Sequence, residues 1–433
     1  MRMNTMKINI MKSILSVALL ITIVFATAPP SFGYSVLTHE AIIDTTWNDS
    51  IKPALLKRFP RATADQLREA HAYSYGGAII QDMGYYPFGS KIFTDLVHYV
   101  RSGDFIEALL KEASDLNEYA FALGALAHYA ADNEGHSIGV NPGVPVIYPK
   151  LRAKFGNRVT YADDPAAHLK TEFGFDVLQV ARGKYAPQAY HDFIGFEVSL
   201  PVLERAFKQT YGIEMKDLFV NLDLAIGSYR RAVSTVIPEM TKVAWETKKD
   251  AIEKATPGVT REKFVYGLSD SDYEKDWGKQ YEKPGAFDKT LALFFRVIPK
   301  VGPFAALSFK PPTPEAERMF HKSFDATLAR YRSMIRQARS GRIDLQNKDF
   351  DTGNPTRAGE YKLADETYAE LLSKLAGKDF KDVTPDLRQN ILAFYADLNA
   401  PIATKKDKKE WRDTLQSLNR LKATSAQQAT RTQ

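Results

Sequence analysis

Residues 121–136 read "FALGALAHYAADNEGH", in which ionisable side chains end an almost wholly apolar helical stretch. His128 and Asp132 are four residues apart, and His136 follows four residues later. Residues at this spacing share one face of an α-helix, so an uninterrupted helix would direct all three side chains toward one point. A lone histidine on a helix is usually an ordinary core or surface residue. A buried carboxylate, however, is costly without a compensating cation, and the trio therefore predicts metal binding.

Helical periodicity extends over most of the chain. Apolar residues recur at three- and four-residue spacing in "DQLREAHAY", "FIEALLKEASDL" and "LPVLERAFKQTYG", and the alternation typical of strands is absent. Asp164 followed by Pro165 is a typical helix start. We therefore predict an all-α fold, a multi-helix domain followed by a second helical unit at the C-terminus.

The histidines and the turn residues suggest how the chain is divided. Six of the eight histidines precede Arg182, and "TPGVT" at 256–260 indicates a boundary. The sequence predicts a histidine-rich helical domain over 34–255 and a helical C-terminal unit over 256–410. It predicts a tail over 411–433 with one short helix and partial disorder.

The first 33 residues resemble an export signal. A basic N-terminal region precedes an apolar run over 14–26, and "APPSFG" then supplies a helix break and small residues for cleavage. We predict a signal peptide over 1–33, cleavage after Gly33 and a mature chain that starts at Tyr34. The protein is thus expected to be exported, either secreted or periplasmic.

Composition limits the chemistry available. Without the predicted signal peptide the formal net charge falls from +6 to +3, which by itself favours neither nucleic acid nor an anionic membrane. Cysteine is absent, so the chain forms no disulfide. Any metal ion must be held by histidine, carboxylate or backbone groups.

The most apolar segment after the leader is "LALFFRVIPKVGPFAALSF", Leu291 to Phe309. Arg296, Lys300 and helix-disrupting residues make it a poor membrane span. Two interpretations stay open, a buried helix pair and an interfacial patch that makes transient contact with a membrane surface.

Five further residues are candidate metal ligands. His168 and Glu172 lie four apart at the start of the helix capped by Asp164, and His39 follows soon after the predicted mature start. Asp82 and His98 lie in apolar surroundings. With the trio of 121–136 they make five histidines and three carboxylates, too many for one tetrahedral zinc. They suit a cluster in which a carboxylate bridges two ions.

The order of these residues along the chain resembles that in the zinc-dependent phospholipase C and single-strand nuclease superfamily. Members of that superfamily have an all-helical fold that carries three zinc ions. The resemblance covers roughly 34–182. Tyr34 stands where the secreted enzymes usually have tryptophan. The four-residue spacing from Asp132 to His136 is similar to that in the zinc domain of glycosylphosphatidylinositol-specific phospholipase D.

The resemblance implies a role for each candidate. One zinc ion would be bound by Asp82, His98, His128 and Asp132. A second would share Asp132 and take His39 with the free amino group and carbonyl of Tyr34. A third would be bound by His136, His168 and Glu172. Water between the close pair would attack phosphorus, and Asp82 would orient or deprotonate it.

The expected function is hydrolysis of phosphoester bonds in phospholipid headgroups or other phosphodiesters by a secreted zinc enzyme. Two alternatives remain. One is a zinc nuclease or nucleotidase of the same superfamily, and the other is a non-enzymatic binding domain in which zinc only stabilises the fold. No stable nucleic-acid partner is expected. Because cleavage at Gly33 would release the Tyr34 amine, an uncleaved form is expected to fill one zinc position poorly.

Overall fold

The computed structural model describes residues 36–181, 196–231, 245, 249–254, 256–260 and 309–431. Every regular element within these ranges is helical, and the strand-like pairing found there is an isolated bridge between Lys348 and Pro355. The predicted all-α fold is confirmed. The predicted signal peptide, Tyr34 and residues 291–308 lie outside the described residues.

Fifteen α-helices are bounded within these ranges. They are α1 (Val36–Thr46), α2 (Lys52–Arg58), α3 (Ala64–Ile79), α4 (Lys91–Tyr99), α5 (Ser102–Glu112), α6 (Leu116–Glu134), α7 (Asn141–Ile147), α8 (Pro149–Phe155), α9 (Pro165–Ala181), α10 (Leu200–Tyr211), α11 (Leu222–Arg231), α12 (Pro314–Arg339), α13 (Lys362–Gly377), α14 (Pro385–Phe394) and α15 (Lys408–Arg431). Shorter segments are π-helical at Trp47–Ile51 and Gly135–Val140, and 3-10 helical at Ile80–Tyr85, Met215–Leu218 and Ala403–Lys406.

Helix α6 is the centre of the fold. It is buried almost continuously from Glu118 to Asn133, as expected for a helix that is apolar on every side. It packs most extensively against α3, where glycines let the two backbones touch. A Cβ on Gly124 would lie 2.1 Å from the carbonyl oxygen of Ser74, and one on Gly77 would lie 2.0 Å from that of Phe121.

The C-terminal helices pack on the same core. Helix α12 contacts α6, α7 and the π segment Gly135–Val140, while α13 contacts α4. The Tyr331 hydroxyl donates to the carbonyl oxygen of Leu123 at 2.8 Å, and Phe320 stacks on Phe175 at 4.7 Å between ring centroids. Buried residues on both sides of position 255 thus belong to one apolar cluster. The division into domains there stays a prediction.

The tail differs from its sequence-based expectation. Helix α15 runs from Lys408 to Arg431, where we predicted a short helix followed by a disordered run. Leu418 and Leu421 are buried on α15, which packs against α13. These two leucines anchor the helix on the core. None of the helices in the described ranges has the length and apolar character needed to cross a membrane.

The contact between α3 and α6 yields a prediction. The change Gly124→Ala should lower the free energy of unfolding by about 1–3 kcal/mol, because the added methyl group would meet the carbonyl of Ser74. Urea denaturation of zinc-saturated protein measures the loss.

Gly227→Ala is the matched control, since Gly227 lies on the exposed side of α11 with no neighbour within 4 Å of the added Cβ. It should gain roughly 0.5–1 kcal/mol from helix propensity. Equal stability of the Gly124→Ala variant and the wild type would show that the helices can separate without cost.

Candidate metal centre

The eight described candidate ligands come from six elements that converge on one region. His39 lies on α1, Asp82 on the 3-10 segment Ile80–Tyr85, and His98 on α4. His128 and Asp132 lie on α6, His136 on the π segment Gly135–Val140, and His168 and Glu172 on α9. None of the eight is more than 2% exposed. The structure therefore brings together every candidate ligand that it describes.

The cluster has two halves, and Asp132 is the centre of the first, which also contains His39, Asp82, His98 and His128. Its Oδ1 lies 3.5 Å from Nε2 of His39, and its Oδ2 lies 3.1 Å from Nε2 of His128 and 3.5 Å from that of His98. Asp82 Oδ1 is 3.3 Å from the same His98 nitrogen. The rings of His39 and His128 are stacked, with centroids 4.5 Å apart. Two groups with metal-binding geometry share His128 here, and Asp132 faces both.

Glu172 is the centre of the second half. Its Oε1 lies 2.9 Å from Nδ1 of His168, one turn earlier on α9, and 3.4 Å from Nε2 of His136. These three residues form the third group with metal-binding geometry. Their grouping matches the one that the family resemblance implies, although ligation itself stays a prediction.

The π segment separates His136 from the other two residues of its motif. On an uninterrupted α-helix, His128, Asp132 and His136 would share one face, with His136 about 12 Å along the axis from His128. The α-helix ends at Glu134, and the wider π turn over Gly135–Val140 places His136 beside Glu172 instead. One motif thereby supplies residues to both halves, and the expectation of one converging trio was wrong. Such π turns occur often at functional sites.

Hydrogen bonds on the far side of four rings fix their orientation. Nδ1–H of His98 donates to the Thr94 carbonyl at 2.9 Å, and that of His128 donates to the Ala78 carbonyl at 2.9 Å. Nδ1–H of His136 donates to the Phe350 carbonyl at 3.0 Å, and Nε2–H of His168 donates to Asn141 Oδ1 at 2.9 Å. Each ring then presents its other nitrogen to the carboxylates. This is the usual arrangement of metal-binding histidines.

Several buried atoms of the cluster have no hydrogen-bond partner. They are Asp82 Oδ1, both carboxylate oxygens of Asp132, both of Glu172, Nε2 of His136 and Nδ1 of His168. Buried polar atoms are almost always paired, so orphaned atoms that converge need another explanation. Imidazole nitrogens and carboxylate oxygens are ligands that zinc accepts. The donor set therefore fits zinc ions.

Burial also sets the protonation of these groups. It lowers the pKa of His39 well below its ordinary value, and the nearby His128 lowers it further. Burial and His136 likewise lower the pKa of His168. Neutral rings of this kind have a lone pair for a metal ion. Burial raises the pKa of Glu172, as do the charges of Asp132 and Asp82, so a cation is needed to keep that carboxylate ionised.

Residues that the sequence did not suggest surround the cluster. Asn141, Phe350 and Asp351 contact the second half, and the rings of Tyr85 and Tyr161 lie 6.2 Å from His98 and 6.0 Å from His168, respectively. Asn141 follows the π segment directly and Tyr85 follows Asp82 by three residues, but Phe350 and Asp351 are far from every ligand motif in the sequence. Neither helical periodicity nor ligand spacing could have indicated them.

Part of the chain matches a known protein family. Residues 38–219 match the family of zinc dependent phospholipase C, which confirms the predicted superfamily for this part of the chain. The match includes all eight candidate ligands described above and ends before Phe350 and Asp351. Comparison with curated proteins and with solved structures returned no match. The similarity to the glycosylphosphatidylinositol-specific phospholipase D zinc domain stays a prediction.

We expect zinc binding to release a proton from this cluster. Burial alone would lower the pKa of His98, but the adjacent carboxylates of Asp132 and Asp82, 3.5 and 3.3 Å from its Nε2, outweigh it and raise the pKa to about 10. At neutral pH zinc must therefore displace the His98 proton, and its affinity should rise with pH. Titration calorimetry in two buffers of different ionisation enthalpy measures the proton released.

His321→Gln is the control for this measurement, because His321 lies on α12 beside Glu317 rather than in the cluster. That variant should keep the buffer dependence. Equal heats in both buffers for the wild-type protein would contradict the prediction.

Proposed function

We propose that this chain is an exported zinc-dependent phosphodiesterase that hydrolyses the headgroup phosphoester of phospholipids, as a phospholipase C does. One observation carries the proposal. Eight buried histidine and carboxylate side chains lie in three adjacent groups within the segment that matches the zinc dependent phospholipase C family. This number of ligands supports more than one ion, whereas a structural zinc site is closed and four-coordinate.

The residues of the cluster have distinct tasks in this proposal. When bound, zinc lowers the pKa of coordinated water to about 7 and neutralises charge on the phosphoryl group. Asp132 faces three histidines and is suited to bridge the close pair. Asp82 contacts His98 and keeps Oδ1 without a hydrogen-bond partner, so this oxygen is available to orient the attacking water or accept its proton.

The start of α1 supports the proposed role of the Tyr34 amine. Asp176 on α9 accepts the backbone N–H of Leu37 at 3.1 Å and the hydroxyl of Thr38 at 2.6 Å. A carboxylate is favourable at this position, since helix N-termini carry partial positive charge. The anchor fixes the chain just before His39. Tyr34 as a ligand, cleavage after Gly33 and export remain part of the proposal.

An exposed apolar loop favours a lipid substrate. The chain that leaves the Asp82 segment reaches Phe88, which is 47% exposed and has a left-handed φ of +64°. Leu224 on the neighbouring α11 is also 47% exposed, and the Ser228 hydroxyl of that helix donates to the Pro87 carbonyl. Large apolar side chains exposed near an active centre suit contact with acyl chains. We also propose transient membrane contact through the segment Leu291 to Phe309, which is anchored to the core at its end by the buried Phe309.

Parallel substrate assays test the proposed function. Zinc-replete protein should hydrolyse phosphatidylcholine to diacylglycerol and phosphocholine, and it should leave single-stranded DNA intact. Asp132→Asn should reduce the rate to that of zinc-free protein, because the shared carboxylate becomes neutral. Product analysis by mass spectrometry and gel electrophoresis gives both rates.

Two other outcomes would support the alternatives. Hydrolysis of DNA alone would favour a nuclease or nucleotidase. Inactivity on both substrates, together with about one zinc ion per chain by elemental analysis, would favour a non-enzymatic binding domain with a structural zinc ion.

The Phe88 loop gives a separate prediction. Phe88→Asn should slow hydrolysis of phosphatidylcholine vesicles more than that of soluble short-chain phosphatidylcholine, because the substitution removes an apolar contact with the bilayer. Asparagine tolerates the left-handed backbone at this position, so strain should not obscure the effect. The ratio of the two kcat/KM values is the measurement.

Leu398→Asn serves as its control, since Leu398 is 37% exposed on the C-terminal part of the chain. The ratio should be unchanged there. An equal loss on both substrates for Phe88→Asn would place the residue in substrate binding rather than membrane contact.

A further inference from the structure

A loop outside the family-matched segment is packed against the candidate metal centre. This loop, residues 347–356, connects the region after α12 to α13. The backbone N–H of Asp349 donates to the Asn354 carbonyl at 3.0 Å, and that of Thr356 donates to the Asn347 carbonyl at 3.0 Å. At its tip Gly353 has a φ of +73°, and a Cβ there would lie 2.7 Å from the Asn133 carbonyl. The 347–356 loop is thus shaped to lie on the end of α6.

Phe350 of this loop contacts histidines in both halves of the cluster. Its carbonyl accepts the Nδ1–H of His136 at 3.0 Å, and its N–H donates to the backbone carbonyl of His98 at 3.2 Å. Its ring is fully buried, with its centroid 5.1 Å from that of His98 and 5.9 Å from that of His128. The loop therefore touches three candidate ligands through one residue.

Asp351 connects the loop to the second half. Its Oδ1 lies 3.5 Å from Nδ1 of His136, on the side of the ring opposite to Glu172. Its backbone carbonyl accepts Nδ2–H of Asn141 at 2.5 Å, and Asn141 Oδ1 in turn accepts Nε2–H of His168. One residue thereby reaches both histidines of the third group.

Two tyrosines hold the Asp351 carboxylate in place. The hydroxyl of Tyr99, next to His98, donates to Oδ2 at 3.0 Å, and the hydroxyl of Tyr361 donates to the same oxygen. The carboxylate is 5% exposed. A buried charge with fixed donors on one oxygen and a histidine N–H beside the other is suited to set the orientation of that ring.

We propose that the 347–356 loop is a structural part of the metal centre and that Asp351 is a positioning residue. It acts on His136 through its carboxylate and on His168 through its backbone carbonyl and Asn141. The inference rests on the proposed zinc dependence and extends it beyond the family-matched segment. It implies that the segment 38–219 alone does not bind zinc at the His136, His168 and Glu172 group with full affinity. Changes to residues that support zinc ligands typically weaken metal affinity about 10- to 100-fold.

The test compares zinc binding by full-length wild-type protein and Asp351→Asn. Competition with a chromogenic zinc chelator gives the affinities, and elemental analysis after dialysis gives the number of ions per chain. Asp351→Asn should lose affinity for one zinc by about 10- to 100-fold, while the other zinc sites keep theirs. Tyr361→Phe, which removes one donor to the carboxylate and keeps the ring, should show a smaller loss of the same zinc.

Asp365→Asn is the matched control. Asp365 is as buried as the ligands, lies on α13, and accepts the backbone N–H groups of Gly359 at 2.8 Å and Ala403 at 2.7 Å. This variant should lower thermal stability without changing zinc affinity.

Three results would count against the inference. If Tyr361→Phe and folded Asp351→Asn both keep wild-type zinc affinity and stoichiometry, the loop only packs against the centre. An equal loss of zinc in Asp365→Asn would assign the effect to general destabilisation. Wild-type protein that takes up no zinc would overturn the proposed function itself, and with it this extension.

Discussion

The burial of three carboxylates beside one another is the constraint on which this structure depends. Asp82, Asp132 and Glu172 are each at most 1% exposed, inside a helical body that is otherwise apolar at its centre. Negative charges in such surroundings are strongly unfavourable unless positive charge compensates them. Five histidine rings surround the carboxylates with nitrogens directed inward. The helices that carry these residues therefore converge on a site suited to cations.

Backbone packing determines the direction of the central ligands. The glycines of α3 and α6 allow contact between main chains, so the Ala78 carbonyl reaches Nδ1 of His128. A larger residue at either glycine would separate the helices and withdraw that acceptor. The orientation of the candidate zinc ligand His128 thus depends on the absence of a side chain one turn away, at Gly124. Packing and metal chemistry are coupled at this helix pair.

The helical fold and the pairs His128–Asp132 and His168–Glu172 could be predicted from local spacing, whereas His39, Asp82 and His98 were indicated by their surroundings and by the family resemblance. The sequence could not predict the π turn that moves His136 to the second half, since nothing in "DNEGHSIGV" distinguishes a π turn from an α-helix. Phe350 and Asp351 were missed for another reason. They reach His136 across more than 200 residues, and a contact at that distance leaves no periodic signal. The length of α15 was underestimated because charged residues at its start obscure Leu418 and Leu421.

The cluster also constrains when the metal can be acquired. Its residues and their supports extend from position 39 to position 361, so the centre is complete only after nearly the whole chain has been synthesised. Long sequence separations of this kind slow folding, since the loops must close before the contacts form. On the proposed export route, the chain would cross the membrane without its zinc. The compartment in which it folds would then supply the metal, and zinc availability there would limit how much active enzyme accumulates.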